Sequence, residues 1–342
     1  MKNILLVSLN SGGTMGHGKI ITSLANFLSK KNKSITILSE MPFSKNFDLD
    51  TKVNIKTIRK VPHINYTIGG MCKFVQSNKI YNFAKKEDIG CVIFSTFFDL
   101  DLVKNLKNIG IKTILLSYPI RDTYRLALKQ NGAYETFDKI VTLYGPEFND
   151  EVMSNEILTN PLKVTYKLPI NKKNVDILIT CGGGGRPSSK ILFRKTISAL
   201  KKIITKRPGL KVVAIKGCSK SNIPNKNIKT MIWAKDFSSI ILSSKLVISE
   251  AGYFTMLDLI NYNKKAILIP GERIIDNQEI RALRLQELKI GKVFFPFEKS
   301  KKLVNLINEG LKEKYGDDVF KYIQKKFNRY PELGKTILNE LK

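Results

Sequence analysis

The sequence predicts an α/β protein made of two doubly wound, mostly parallel sheets. Three observations carry this expectation. Short apolar strands alternate with helical stretches along nearly the whole chain, the pattern of repeated strand–helix–strand units. Each half opens on a strand, a glycine-rich loop and a helix: Asn3–Leu9 before Ser11–Gly18, and Asp176–Thr180 before Gly182–Gly185. Between the halves the alternation pauses at Leu158–Lys163 and a polar run with Pro169, Asn171 and Asn174, which reads as a linker. Two similar domains facing each other across a cleft follow from the pattern.

In the first half, apolar β-type runs lie at Asn3–Leu9, Ile35–Leu38, Cys91–Phe94, Thr113–Leu116 and Lys139–Leu143, with a helix from about Lys19 to Lys30. In the second they lie at Asp176–Thr180, Lys211–Ile215, Ile228–Ile232, Leu246–Ser249, Ala266–Ile269 and Lys292–Phe295. A long helix starts near Ser188, another runs from Phe254 to Tyr262, and Asp276-Asn277-Gln278-Glu279 opens a third. From Lys301 the chain is helical and highly charged, broken at Pro331. Leu303, Ile307 and Leu311 make one buried stripe there. The expected division is 1–162, 163–320, and a helical tail 321–342 that packs back on the first domain.

The 342 residues are 43% hydrophobic, enough for full cores. No apolar run reaches the roughly 18 residues of a membrane-spanning helix. The N-terminal apolar stretch is too short for a signal peptide and runs straight into a strand. Cys72, Cys91, Cys181 and Cys218 have no metal-type spacing, so reduced cytosolic thiols are expected. Fifty-eight Lys and Arg against 29 Asp and Glu give a net charge of +29. Abundant Lys, Ile and Asn explain part of this as composition. A positive face for an anionic leaflet is a second reading. Nucleic acid is not expected as a partner, because the basic residues are spread along the chain without aromatic interleaving.

In parallel sheets, loops at the carboxyl ends of the strands form the ligand crevice. The first glycine loop, with Gly13 and Thr14, lacks the G-x-G-x-x-G spacing and the closing Gly-Lys-Ser/Thr of two familiar phosphate loops. It does feed a helix N-terminus, which suits anions. His17 is one of two histidines and is a candidate general base; capping its helix or contacting the facing domain is the plainer alternative. The second loop, with Gly183, Gly184 and Arg186, suits a diphosphate, or close packing. Trp233, the one tryptophan, can stack on a base or simply pack. Gly252, Tyr253, Phe254 and Thr255 begin a helix whose N–H groups can face phosphate. One turn on, Asp258 can accept from a ribose diol. Gln278 and Glu279 can bond sugar hydroxyls or only favour their helix start. Tyr118, Arg121, Asp122 and Arg125 are candidates for an acceptor, with a surface helix pair as the alternative for the two arginines. The triplets Asp48-Leu49-Asp50 and Asp99-Leu100-Asp101 have metal-type spacing, but each reads better as a helix start or loop end, so no metal is expected.

Together these pieces resemble glycosyltransferase family 28. SGGTMGH at 11–17 is similar to the family's G-G-T-G-G-H loop, Asn160-Pro161-Leu162-Lys163 to its N-P-V-R linker, and Cys181–Gly185 to its second glycine loop. Ser249–Asp258 followed by Asp276–Glu279 is similar to S-R-A-G-A-x-T-x-x-E and D-x-Q-Q. Glu250 stands where the family has arginine, Asp258 for glutamate and Glu279 for a second glutamine. The resemblance implies a GT-B fold of two Rossmann-like domains and an inverting, metal-independent glycosyltransferase using a UDP-sugar as co-substrate, UDP-N-acetylglucosamine favoured. Uracil is expected beside Trp233 and Ala234. Diphosphate is expected at Tyr253, Phe254, Thr255, the first glycine loop and Lys163. Ribose is expected at Asp258, and the donor sugar at Gln278 and Glu279. The acceptor is expected to be a lipid-linked or cell-envelope glycan, and the enzyme cytoplasmic, peripheral on the inner face of the membrane. A UDP-sugar epimerase or hydrolase of the same fold, or a non-catalytic subunit presenting donor or lipid, are the alternatives.

Overall fold

The structure is a computed structural model. It describes residues 3–9, 15–39, 49–57, 65–68, 71–74, 76–146, 151–161, 174–223, 227–234, 237–273, 275–312 and 318–342, with only the backbone of 15–17 and 65–68. The chain divides into two compact units: 1–164 with 274–276 and 327–342, and 165–273 with 277–326.

The first unit contains strands β1 (Asn3–Ser8), β2 (Ile35–Ser39), β3 (Val53–Thr57), β4 (Asn65–Ile68), β5 (Met71–Lys73), β6 (Ile89–Ser95), β7 (Lys112–Ser117), β8 (Lys139–Leu143) and β9 (Glu156–Thr159). Its helices are α1 (Met15–Ser29), α2 (Ser77–Lys86), α3 (Leu100–Asn108) and α4 (Asp122–Gln130). The second unit continues with β10 (Val175–Thr180), α5 (Pro187–Lys206), β11 (Val212–Ile215), β12 (Ile228–Met231), α6 (Phe237–Ser243), β13 (Ser244–Ser249), α7 (Tyr253–Asn261), β14 (Ala266–Leu268), α8 (Gln278–Glu287), β15 (Gly291–Val293), α9 (Ser300–Lys312) and α10 (Asp318–Phe327). The last helix, α11 (Leu333–Glu340), belongs to the first unit.

Among the described residues the first sheet has the order β3-β2-β1-β6-β7-β8-β9 and the second β12-β11-β10-β13-β14-β15. Every pairing in both is parallel. Order reversal on either side of β1 and β10 makes each sheet doubly wound. The central strands are buried on both faces, which is why they read as continuous apolar runs rather than alternating ones. Ile177, Leu178 and Ile179, for example, are fully buried in β10.

Helix α1 starts at Met15, four residues before the expected Lys19. His17 therefore lies in its first turn; its side chain, and Gly13 and Thr14 altogether, fall outside the described residues. The tail closes onto the first unit. Asn160 N–H donates to the Pro331 carbonyl (2.8 Å) and Leu333 N–H to the Asn160 carbonyl (3.0 Å). Tyr144 stacks on Tyr330 with centroids 4.4 Å apart. Helix α11 meets α1 at Gly334, where a Cβ would stand 2.5 Å from the Phe27 ring.

Strand β9 occupies the start of the stretch expected to be linker. It hides from periodicity because its first residue is a buried glutamate. Glu156 receives both guanidinium arms of Arg125, one at 2.9 Å, the Thr142 hydroxyl at 2.6 Å and the Met153 N–H at 3.2 Å. Arg125 is 4% exposed. It is neither a surface residue nor open to an acceptor; it ties α4 to the edge strand. The triplet at 99–101 is a helix start: the Asp99 carboxylate caps α3, accepting from Asp101 and Leu102 N–H, and also takes Phe74 N–H (2.8 Å) and the Ser77 hydroxyl (2.7 Å).

Burial alone would raise the Glu156 pKa, but the bonds from Arg125 and Thr142 and the Arg125 charge outweigh it and hold the carboxyl below its usual value. A depressed carboxylate stabilises the fold above its unfolded pKa and loses that contribution as pH falls through the folded one. Removing one partner of such a pair strands a buried charge, so Arg125→Ala is expected to cost about 3–5 kcal/mol. Denaturant unfolding at pH 7 measures this. The wild-type advantage over the Arg125→Ala, Glu156→Ala double variant should shrink as pH drops below about 4.5, the ordinary value of this carboxyl.

Candidate functional site

The second sheet sends the loops after β10, β11, β12, β13 and β14 to one edge, since its strands are all parallel. The loops are zipped together by backbone. Lys216 and Gly217 N–H donate to the Met231 and Ile232 carbonyls, both at 2.9 Å, and Cys218 N–H donates to the Gly183 carbonyl at 2.9 Å. Gly184 and Gly217 have positive φ of 67° and 55°. A Cβ on Gly217 would lie 2.5 Å from the Gly183 carbonyl oxygen, and one on Gly184 2.7 Å from that of Lys216. These two glycines let two backbones touch, which any side chain would prevent. Behind the loop the Cys181 thiol donates to the Lys216 carbonyl at 3.0 Å. Burial, with the Glu250 carboxylate nearby, pushes it up to about 12; it is a neutral thiol.

The next two loops converge on a small bay. Gly252 precedes α7 and offers no side-chain cap, so the first N–H groups of the helix keep their capacity for an anion. Helix α5 likewise has no side-chain cap at Arg186, and starts on Pro187. A Cβ on Gly182 would stand 3.8 Å from the Thr255 hydroxyl, and one on Gly252 would stand 3.8 Å from the same hydroxyl and 4.0 Å from the Gln278 side-chain nitrogen. Gly182, Gly252, Thr255 and Gln278 thus share one place. The Gln278 carbonyl accepts Gly271 N–H at 2.9 Å, which leaves its NH2 group as the arm turned toward Gly252. Asp258 is buried one turn down α7. Glu279 is exposed, and Phe254 and Arg186 are half-buried. Tyr253 packs into the core against Arg281, so its backbone rather than its ring is what it can offer. At the far end, Trp233 is 40% exposed beside the exposed Ile232, with Ala234 half-buried. Lys163 lies outside the described residues.

Three residues that spacing did not single out hold these loops. Glu250 is 3% exposed and pairs with Arg273. Its other oxygen accepts from the Ser189 hydroxyl at 3.1 Å. Arg273 also donates to the Ser188 hydroxyl at 2.8 Å. Arg281, fully buried, donates to the Ala251 carbonyl at 2.8 Å. The acidic residue at a family arginine position was the available signal for the first pair. Nothing local in the sequence marks Arg281, which sits on the polar-looking helix α8.

In the first unit the end of β6 carries a tight turn: Phe97 N–H donates to the Ser95 carbonyl at 2.7 Å around Thr96, whose φ is 67°. A β-branched residue there is strained. The sequence gives no hint of it, since threonine is ordinary at a strand end.

Residues 176–316 match the glycosyltransferase family 28 C-terminal domain. Among curated proteins no sequence matches the chain. Solved structures that resemble it over both lengths include MurG of Acinetobacter baumannii (TM-score 0.61, 13% identity, 99% of this chain and 98% of that one). Another is the spinosyn rhamnosyltransferase SpnG with thymidine diphosphate (0.67, 11%, 99% and 100%). A third is MnaA of S. aureus with UDP (0.67, 12%, 100% and 96%). At these identities the likeness speaks for the fold, and the matched domain speaks for the chemistry. Residues 176–316 are a glycosyltransferase family 28 C-terminal domain, and the chain is a glycosyltransferase with the GT-B fold.

Proposed function

We propose that the protein transfers a hexose or N-acetylhexosamine from a UDP-sugar, UDP-N-acetylglucosamine favoured, to a lipid-linked or cell-envelope glycan, with inversion and without a metal. The observation that carries this reading is the bay where the uncapped start of α7, the Thr255 hydroxyl and the Gln278 NH2 group meet. It lies inside the family-matched segment. Fixed N–H dipoles suit a diphosphate, and they stabilise the charge that grows on it as the glycosidic bond breaks. Asp258 is the proposed ribose ligand and Trp233 with Ala234 the proposed base site. Gln278 and Glu279 face the sugar in this reading. His17, in the first turn of α1, is the proposed base taking the acceptor hydroxyl proton as that oxygen attacks the anomeric carbon. No described helix is long and apolar enough to cross a membrane; the net charge of +29 suits docking on an anionic leaflet, where a lipid-linked acceptor is met.

Donor choice is tested by thermal shift with UDP, thymidine diphosphate and UDP-sugars. A UDP-sugar at a hundred times its Kd should stabilise by about 2.7 kcal/mol, and thymidine diphosphate should give less. Asp258→Asn is expected to weaken the donor about tenfold; unchanged affinity would remove Asp258 from the site.

Turnover separates transfer from its rivals. With UDP-N-acetylglucosamine and a lipid-linked acceptor, UDP release should require the acceptor and persist in EDTA. His17→Ala should lower kcat by about 10²–10⁴-fold. Release without any acceptor would favour an epimerase or hydrolase, and none at all a non-catalytic subunit.

A further inference from the structure

The buried Glu250 and the half-buried Arg273 form an ion pair at the carboxyl edge of the second sheet. The groups involved come from three separate stretches of the chain. Glu250 belongs to the turn between β13 and α7, Arg273 follows β14, and Ser188 and Ser189 open α5. Each arm of the guanidinium is committed, one to the Glu250 carboxylate and one to the Ser188 hydroxyl at 2.8 Å. The second carboxylate oxygen takes the Ser189 hydroxyl at 3.1 Å. Gly271 is pressed against the same Ser188, since a Cβ on it would lie 2.8 Å from the Ser188 Cβ and Oγ. One fork thus spans the starts of α5 and α7 and the segment that also holds Gln278 through Gly271 N–H.

We propose that Arg273 and Glu250 are positioning residues for the nucleotide diphosphate: together they fix the α5 and α7 starts, and Arg273 does not itself ligate phosphate. This rests on the donor-site reading above. The two roles predict opposite signs. If Arg273 bound phosphate, neutralising Glu250 would release its charge and strengthen diphosphate binding. As a tether the pair fails whichever half is removed, and removing both costs no more than removing one.

The test is UDP binding to the full chain by calorimetry, with uridine binding by saturation-transfer NMR as the diphosphate-free control. Wild type, Glu250→Gln, Arg273→Gln and the double variant are compared. Each single variant should weaken UDP about tenfold and the double variant no further, with uridine unchanged. Arg273→Lys, which keeps the charge and one bond, should lose less than Arg273→Gln and serves where the glutamine variant melts low. Tighter or equal UDP binding in Glu250→Gln overturns the proposal, as do losses that multiply in the double variant or a fall in uridine binding that tracks UDP. A wild type that binds neither UDP nor uridine overturns the donor-site reading itself.

Discussion

A guanidinium taken out of water needs a countercharge or hydrogen-bond acceptors, or the fold loses several kcal/mol. That constraint shapes both units. Arg125 is matched by Glu156, Thr142 supports the carboxylate, and an edge strand is fixed as a result. Arg273 is matched by Glu250 and Ser188. Arg281 is matched by the Ala251 carbonyl and lies 5.5 Å from the centre of the Tyr253 ring. In each case the cation arrives from a different element from its partner. Loops that the parallel sheet merely delivers to one edge become a fixed surface.

Glycine does the complementary task. Where arginine forks hold loops at a set distance, Gly184 and Gly217 let two of them close to direct backbone contact. Their positive φ values are part of the same demand, because only a residue without Cβ takes that conformation and that approach together. Gly182 shares the positive φ, 60°, but not the close approach, and Gly252 shares neither. Their missing Cβ atoms face Thr255 and Gln278 at 3.8–4.0 Å, ordinary contact distance, so they leave room rather than enforce packing. The second glycine run thus contains both kinds of glycine side by side.

Much of this was legible in the sequence. Buried parallel strands announce themselves as apolar runs, and the carboxyl-edge rule then turns the following loops into a site. Strands β6, β7, β8, β10 and β13 were visible for that reason. Strand β9 was not, because its buried glutamate looks like a surface residue until Arg125 is placed beside it. The hairpin of β4 and β5 stands apart from both large sheets among the described residues, with one bridge from Met71 to Phe98, and lacks an apolar run. Among the proposed donor-site residues, Gly252, Thr255, Asp258 and Gln278 were named from a strand–turn–helix pattern and a resemblance. Arg273 and Arg281 could not, since their partners lie 23 and 30 residues away and no local period links them.

The committed arginines also bear on where a diphosphate would find its positive charge. The chain carries a net +29, yet Arg273 and Arg281 are turned to protein partners, a carboxylate and a carbonyl. A neutral, braced pair adds shape without adding much field. The α5 and α7 starts, which have no side-chain caps, then supply fixed dipoles whose direction the pair controls. Such dipoles need no reorganisation when charge develops on a leaving group, whereas a mobile lysine must first be ordered. An acidic residue at position 250, which looks ill-suited to an anion site when read alone, is therefore consistent with one once its cation is included.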